Sequence, residues 1–228
     1  MTLPAQMEII SQQDWTLAAL MGALESAATA HANALHIGHE RVLGEFGCLW
    51  MLARSRLCMK RLPAQQEPLT IRTWLRAPSA ATSVRDYDIY SGDTCIGSAV
   101  HRWVLVKERE RKIADLRKIA PLWELPTLSP ERTDMPGRLH LPEQMQDAHK
   151  ITIAQQTIDE NGHMNNVAYV RLALPFVPAS CKGLEILFGQ ECFAGETLQI
   201  RTAQENDAYF VCGVKESGAE SFRMRFYE

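Results

Sequence analysis

The run Asp159-Glu160-Asn161-Gly162-His163-Met164-Asn165-Asn166 gathers carboxylate, carboxamide and imidazole groups around a glycine, and Val167-Ala168-Tyr169 then opens an apolar stretch. An imidazole exchanges protons near neutrality, and a neighbouring carboxylate can orient or polarise it. Asp and Asn favour turns and helix N-caps, while glycine permits a backbone angle that other residues resist. The apolar run from Val167 through Leu174 predicts a helix that ends before Pro175. The polar cluster then sits on a loop at a helix N-terminus, where free N–H groups and the dipole favour negative charge. Such a place could stabilise an oxyanion. A capped turn with an incidental histidine accounts for the same residues, and the segment alone leaves both readings open.

The elements that must position this loop fall into two similar halves. Residues 1–106 read as a strand, a long helix over about Trp15 to His36, and then strands. Residues 149–228 read as a strand, the short helix, and strands again. Between them, residues 107–148 form a linker, charged at first and then broken by Pro121, Pro126, Pro130, Pro136 and Pro142. A short helix is expected in it near Pro130–Asp134. Strands are read from alternation, as in Leu69-Thr70-Ile71-Arg72-Thr73-Trp74-Leu75-Arg76, where Leu69, Ile71 and Leu75 share a face and Arg72 and Arg76 take the other. Such strands suit an antiparallel sheet with one buried and one wet face. Ser91-Gly92-Asp93, Ala194-Gly195-Glu196 and Glu216-Ser217-Gly218 offer hairpin turns.

The two halves also share detail. Glu67-x-Leu69-x-Ile71-Arg72-Thr73 recurs as Glu196-x-Leu198-x-Ile200-Arg201-Thr202 at a constant offset of 129 residues. Duplication of one unit is the favoured reading. Leu62 and Pro63 then stand opposite Glu191 and Cys192, so the polar pair occurs in one copy only. The expected α+β architecture is a central apolar helix wrapped by a curved antiparallel sheet, twice over. The two units abut into one extended sheet.

Composition narrows the function. The 228 residues are 22% charged and 46% hydrophobic, which suits a soluble globular chain with ample core. A net charge of -3 and a pI near 6.2 point away from nucleic acid. The six cysteines lack CxxC or zinc-ribbon spacing, and reduced thiols in a cytoplasmic setting are expected. No signal peptide is evident at the start. From Trp15 to His39 the lone formal charge is Glu25, yet His31, Asn33 and His36 interrupt the segment. A helix buried in protein fits better than a membrane span.

Several stretches, in order, resemble the acyl-acyl carrier protein thioesterases, a family built as a tandem double hotdog fold. In the first half these are Trp50-Met51-Leu52-Ala53-Arg54, Arg61-Leu62-Pro63, Thr73-Trp74, Arg85-Asp86-Tyr87 and the strand from Ala99 to Val106 with Trp103. In the second half Asp159-x-Asn161-x-His163-Met164-Asn165-Asn166-x-x-Tyr169 is similar to the family's main signature, with Met164 where valine is more usual. Glu191-Cys192 falls where the family carries an acidic residue and a cysteine. The likeness spans roughly residues 5–228 and is that of a bacterial-type member.

The resemblance implies a catalytic set of Asp159, Asn161, His163, Glu191 and Cys192, with no cofactor. Asn161 and His163 would contact the thioester or the nucleophile, and Asp159 would orient or polarise them. Glu191 would accept a proton from water, with Cys192 as the alternative nucleophile. Direct attack by water is preferred over an acyl-enzyme on Cys192, because moving an acyl group between thiols gains little driving force. The substrate implied is a fatty acyl chain on the phosphopantetheine of acyl carrier protein, its tail in an apolar tunnel in the first half. The carrier is acidic, so a basic rim is expected from Arg54, Arg56, Lys60, Arg61, Arg72, Arg76 and Arg85, or from the linker's Lys107, Arg109, Arg111, Lys112, Arg117 and Lys118.

Two other readings stand beside this one, a coenzyme A thioesterase of the same fold and a non-catalytic sensor of acyl thioesters. His163, Glu191 and Cys192 include zinc-ligand types, but no short-spaced ligand pair supports a metal. His31, His36, His39, His101, His140 and His149 read as structural or surface residues. Neither nucleic acid binding nor membrane insertion is expected, and the fused pair could stay a monomer or form a homodimer. In space, the loop before the short helix and the strand bearing Glu191 should meet at the mouth of an apolar channel.

Overall fold

Thr16 starts the long helix, its Oγ1 accepting the Ala19 N–H at 3.0 Å, as N-cap residues do. In the computed structural model, which describes residues 3–119, 122, 124–128, 137–159 and 162–228, this is helix α1 (Leu17–Ala34). Leu17, Leu20, Met21, Leu24, Ala27 and Ala28 recur at helical spacing and are buried. Helix α2 (His39–Phe46) follows, closed by Gly47 at φ +59°, and α3 (Asn166–Ala173) serves the second half. α3 ends at Ala173, before Pro175 as expected, and a single 3₁₀ turn, Leu174–Phe176, carries the proline beyond it.

The strands are β1 (Gln6–Ser11), β2 (Cys48–Met59), β3 (Leu69–Leu75), β4 (Ser83–Ser91), β5 (Thr94–Lys107) and β6 (Lys112–Ile113). They continue with β7 (Gln146–Thr152), β8 (Gly183–Phe188), β9 (Thr197–Glu205), β10 (Ala208–Lys215) and β11 (Glu220–Tyr227). Among the described residues these 11 strands make one sheet in the order β1-β3-β4-β5-β2-β8-β11-β10-β9-β7, with β6 beside β5. Each half, taken from its outer edge inward, has the same succession: first strand, third, fourth, fifth, second. The repeat seen in the sequence lies on β3 and β9, which hold equivalent positions, and Leu69, Ile71, Leu198 and Ile200 are all fully buried. The halves join where β2 pairs antiparallel with β8, from Arg54↔Leu187 to Cys58↔Gly183. This is the tandem double hotdog arrangement, with α1 and α3 packed into one apolar core.

Two local expectations differ from the structure. β3 and β4 do not keep one wet face throughout: Thr73, Trp74 and Leu75 are consecutive buried residues, and Ser83 to Ile89 are all buried. Beside the main core, Leu35, Ile37 and Val42 of the α2 region form a second apolar cluster with Leu75, Leu105, Leu116 and Leu122. Ala194-Gly195-Glu196 is a turn leading into β9 rather than a hairpin; β9 and β10 instead turn at Asn206 and Asp207, both at positive φ. Gly92 and Gly218, at φ +53° and +83°, do join the hairpins β4–β5 and β10–β11. The helix expected near Pro130–Asp134 lies outside the described residues. No described helix is long and apolar enough to cross a membrane, and all six cysteines are free thiols.

Candidate functional site

The loop ahead of α3 closes on itself before the helix begins. Gly162 donates its N–H to Asp159 O at 3.0 Å, and Asp159 N–H bonds His163 O at 2.8 Å. Gly162 sits at φ +80°, a region that disfavours a side chain. Glu160 and Asn161 lie outside the described residues, so Asn161 remains a candidate on its sequence alone. Asn165 caps α3: its Oδ1 accepts the Val167 N–H at 2.9 Å. Its own N–H bonds Thr157 O at 2.9 Å, which pins the base of the loop.

A second loop, between β8 and β9, meets the first. Met164 N–H bonds Cys192 O at 2.8 Å and so fastens the two loops side by side. Glu191 stands on this loop and not on a strand, since β8 ends at Phe188 and β9 begins at Thr197. Its Oε1 lies 3.4 Å from His163 Nδ1. The same carboxylate pairs with Arg111, from the turn between β5 and β6, and its backbone carbonyl accepts from Lys215 Nζ at 2.7 Å. The Phe193 and His163 rings meet in a T-shaped contact at a centroid distance of 5.2 Å. Glu191 is therefore held by Arg111 and Lys215, with a carboxylate oxygen beside Nδ1 of the imidazole.

Asp159, His163 and Glu191 all line one cavity of about 500 Å³. Met164, Asn165, Asn166, Tyr169, Phe188 and Ser221 are also in its second-half wall. From the first half come Glu25, Ala28, Thr29 and Ala32 of α1, Leu49 to Leu52 of β2, and Leu75, Ser83, Arg85 and Trp103. The wall of the cavity thus joins the two loops to α1 and the first-half strands, and Glu25, Thr29, Ser83 and Arg85 make it less apolar than the expected tunnel. Cys192 is not in its wall. Its side chain is fully buried, Sγ lies 2.9 Å from Ser221 Oγ, and its N–H bonds the Tyr169 hydroxyl at 3.2 Å.

Two ionisable wall residues were not read as site residues from the sequence. Glu25, the lone charge in α1, has its carboxyl pushed up to about 7, by burial first and also by the charge of Asp159, against a hydrogen bond from Asn166. Arg85 was expected on a basic rim but is buried, because both faces of β4 are covered there. Its Nη1 approaches His31 Nδ1 at 2.8 Å and Thr73 Oγ1 at 3.3 Å. His31 Nε2 lies 3.0 Å from Pro4 O, a pattern that suits a neutral ring, and burial lowers the pKa of that histidine. Arg76 is likewise no rim residue, being paired with buried Asp86 at 2.6 Å. Arg61, Arg72 and Arg117 are held by Glu67, Glu8 and Asp115, which reduces the free positive surface further.

The extended antiparallel sheet wrapped about α1 and α3 makes this a double hotdog protein. The chain belongs to the acyl-ACP thioesterase family: the model of that family's N-terminal domain matches residues 6–119. The candidate polar residues lie beyond the matched stretch. The chain is 27% identical over 156 residues to the chloroplastic oleoyl-acyl carrier protein thioesterase of Coriandrum sativum, covering 63% of this chain and 41% of that protein. It is 22% identical over 245 residues to the chloroplastic dodecanoyl-[acyl-carrier-protein] hydrolase of Cinnamomum camphora, covering 96% of this chain and 64% of that one. The chain thus spans less than two thirds of the length of either plant relative. In fold it is similar to an acyl-ACP thioesterase from Bacteroides thetaiotaomicron, with a TM-score of 0.87, 19% identity, and coverage of 98% and 97% of the two chains. The 12:0-ACP thioesterase from Umbellularia californica gives a TM-score of 0.78 at 16% identity, covering 98% of this chain and 97% of that one.

Proposed function

We propose that this protein hydrolyses fatty acyl thioesters of acyl carrier protein, with residues 1–106 and 149–228 as its two hotdog units. Family membership supports the substrate class. The observation that carries the site is the pairing of His163 with Glu191 at one end of a cavity whose other end is walled by α1 and β2.

The acyl chain lies in the first-half cavity and the thioester carbonyl rests against His163. Glu191 holds Nδ1, so Nε2 removes a proton from a water molecule as its oxygen attacks the carbonyl carbon. The tetrahedral intermediate collapses, the C–S bond breaks, and the phosphopantetheine sulfur takes the proton back from Nε2. Asp159 bears on the same loop and Asn161 is a candidate donor to the oxyanion. This reading moves the proton to His163 and makes Glu191 its orienting partner, because Arg111 already occupies the Glu191 carboxylate. Cys192 is assigned a structural role: its thiol is sealed beside Ser221 and its carbonyl fastens the histidine loop.

Release of free fatty acid from acyl carrier protein tests this reading, with the coenzyme A thioester of the same chain alongside. Cys192→Ala and Cys192→Ser should retain turnover within a few-fold. An acyl adduct on Cys192, or loss of turnover in both folded variants, would exclude the water route. A preference for the coenzyme A thioester would overturn the carrier assignment.

A further inference from the structure

A cavity meant for a plain hydrocarbon has little use for a carboxyl group, yet α1 supplies one. Glu25 lines the cavity, and the Asn166 side chain hydrogen-bonds its carboxyl. The other oxygen position, Oε1, is closed to solvent and has no hydrogen-bond partner among the described residues. Asn166 is the first residue of α3, three positions after His163, so the carboxyl stands close to where the thioester would lie. Asp159 is near enough for its charge to bear on it. One helical turn further along α1, Thr29 lines the same cavity, and Ser83 does so from β4.

A buried polar group without a partner is destabilising, and a ligand that supplies the missing hydrogen bond is favoured over one that does not. A saturated chain offers nothing to Oε1. A hydroxyl does, since it can donate to the carboxyl oxygen and accept from a protonated one. Oε1 is closed to water, so it reaches such a group by rotation about the broad terminal torsion of glutamate, and the ligand hydroxyl offsets any loss at the Asn166 bond.

We propose that Glu25 is a specificity-determining residue that selects acyl chains carrying a hydroxyl group a few carbons from the thioester. This rests on the placement of the thioester at His163 and Glu191. Glu25 takes no part in the bond changes; it holds the hydroxyl and thereby sets the register of the chain.

The test compares kcat/KM for 3-hydroxyacyl and unsubstituted acyl thioesters of one chain length on acyl carrier protein, for the wild type, Glu25→Gln and Glu25→Leu. The wild type should favour the hydroxylated substrate about tenfold or more. Glu25→Leu should abolish or invert that ratio, and Glu25→Gln, which keeps donor and acceptor, should retain part of it. A ratio unchanged in Glu25→Leu, or equal losses on both substrates in both variants, would overturn the proposal. Should Glu25→Leu fail to fold, a wild-type ratio near one overturns it equally. Hydrolysis of neither substrate by the wild type would instead remove the thioesterase reading, and this inference with it.

Discussion

Glutamine in place of Glu25 should make the protein more stable, and by an amount that depends on pH. The Glu25 carboxyl is raised from 4.5 to about 7, chiefly by burial and secondarily by Asp159, with the Asn166 hydrogen bond opposing. Between those values the folded protein binds a proton that the unfolded chain has released, so stability falls as pH rises. Below pH 4.5 the residue is neutral in both states and costs nothing. Above pH 7 it is ionised in both, and the displacement corresponds to about 3 kcal/mol of lost stability. Glutamine has the same shape and no charge. Glu25→Gln should therefore gain about 3 kcal/mol over the wild type at pH 8, or roughly 6–12 °C in Tm for a chain of this size. The gain should shrink through pH 6 and vanish near pH 4.5. Asp159, His163, Glu191 and Arg85 line the same cavity but are common to both proteins, so the difference isolates Glu25. Urea unfolding at pH 4.5, 6, 7 and 8 measures it. A difference that stays flat across that range would refute a buried, ionisable carboxyl at this position.

Two substitutions probe the supports of the site. A Cβ on Gly189 would lie 2.4 Å from the backbone oxygen of Glu220, so Gly189→Ala must push the Glu191 loop off β11; a loss of about 1–3 kcal/mol is expected by thermal melting, with a fall in turnover. Arg76→Met leaves Asp86 buried at 1% side-chain exposure without its guanidinium partner, and should cost about 3–5 kcal/mol in urea unfolding.

What the sequence made legible was chiefly periodic or local. Alternation in β3 and β9 and the offset between them disclosed a duplicated sheet, because register and burial repeat every two residues. Gly162 and the Asp/Asn cluster disclosed a loop with a helix cap, since both depend on a few neighbouring residues, while the structure shows that Asn165 is the residue that caps. Helix α2 was missed: it buries only Val42, and its markers are the flanking Gly38 and Gly47 and the Arg41–Glu45 pair at 2.8 Å. The basic rim failed at Arg76 and Arg85 because alternation cannot show that a strand is covered on both faces. Glu191 was placed on a strand because polar residues in an irregular connection carry no period. Glu25 was visible as the lone charge of an apolar helix, but its neighbours Asn166 and Asp159 come from the other half of the chain. Cys192 shows the converse: its type suggested a nucleophile, and only the packing around Ser221 and Tyr169 shows it sealed.

The central claim is that His163, held by Glu191 at the cavity mouth, is the base that activates water. Single-turnover release of fatty acid from acyl carrier protein by His163→Ala, checked as folded by its melting curve, tests it most directly. A fall of about 10²–10⁴-fold relative to the wild type is expected. Release within threefold of the wild-type rate would contradict it.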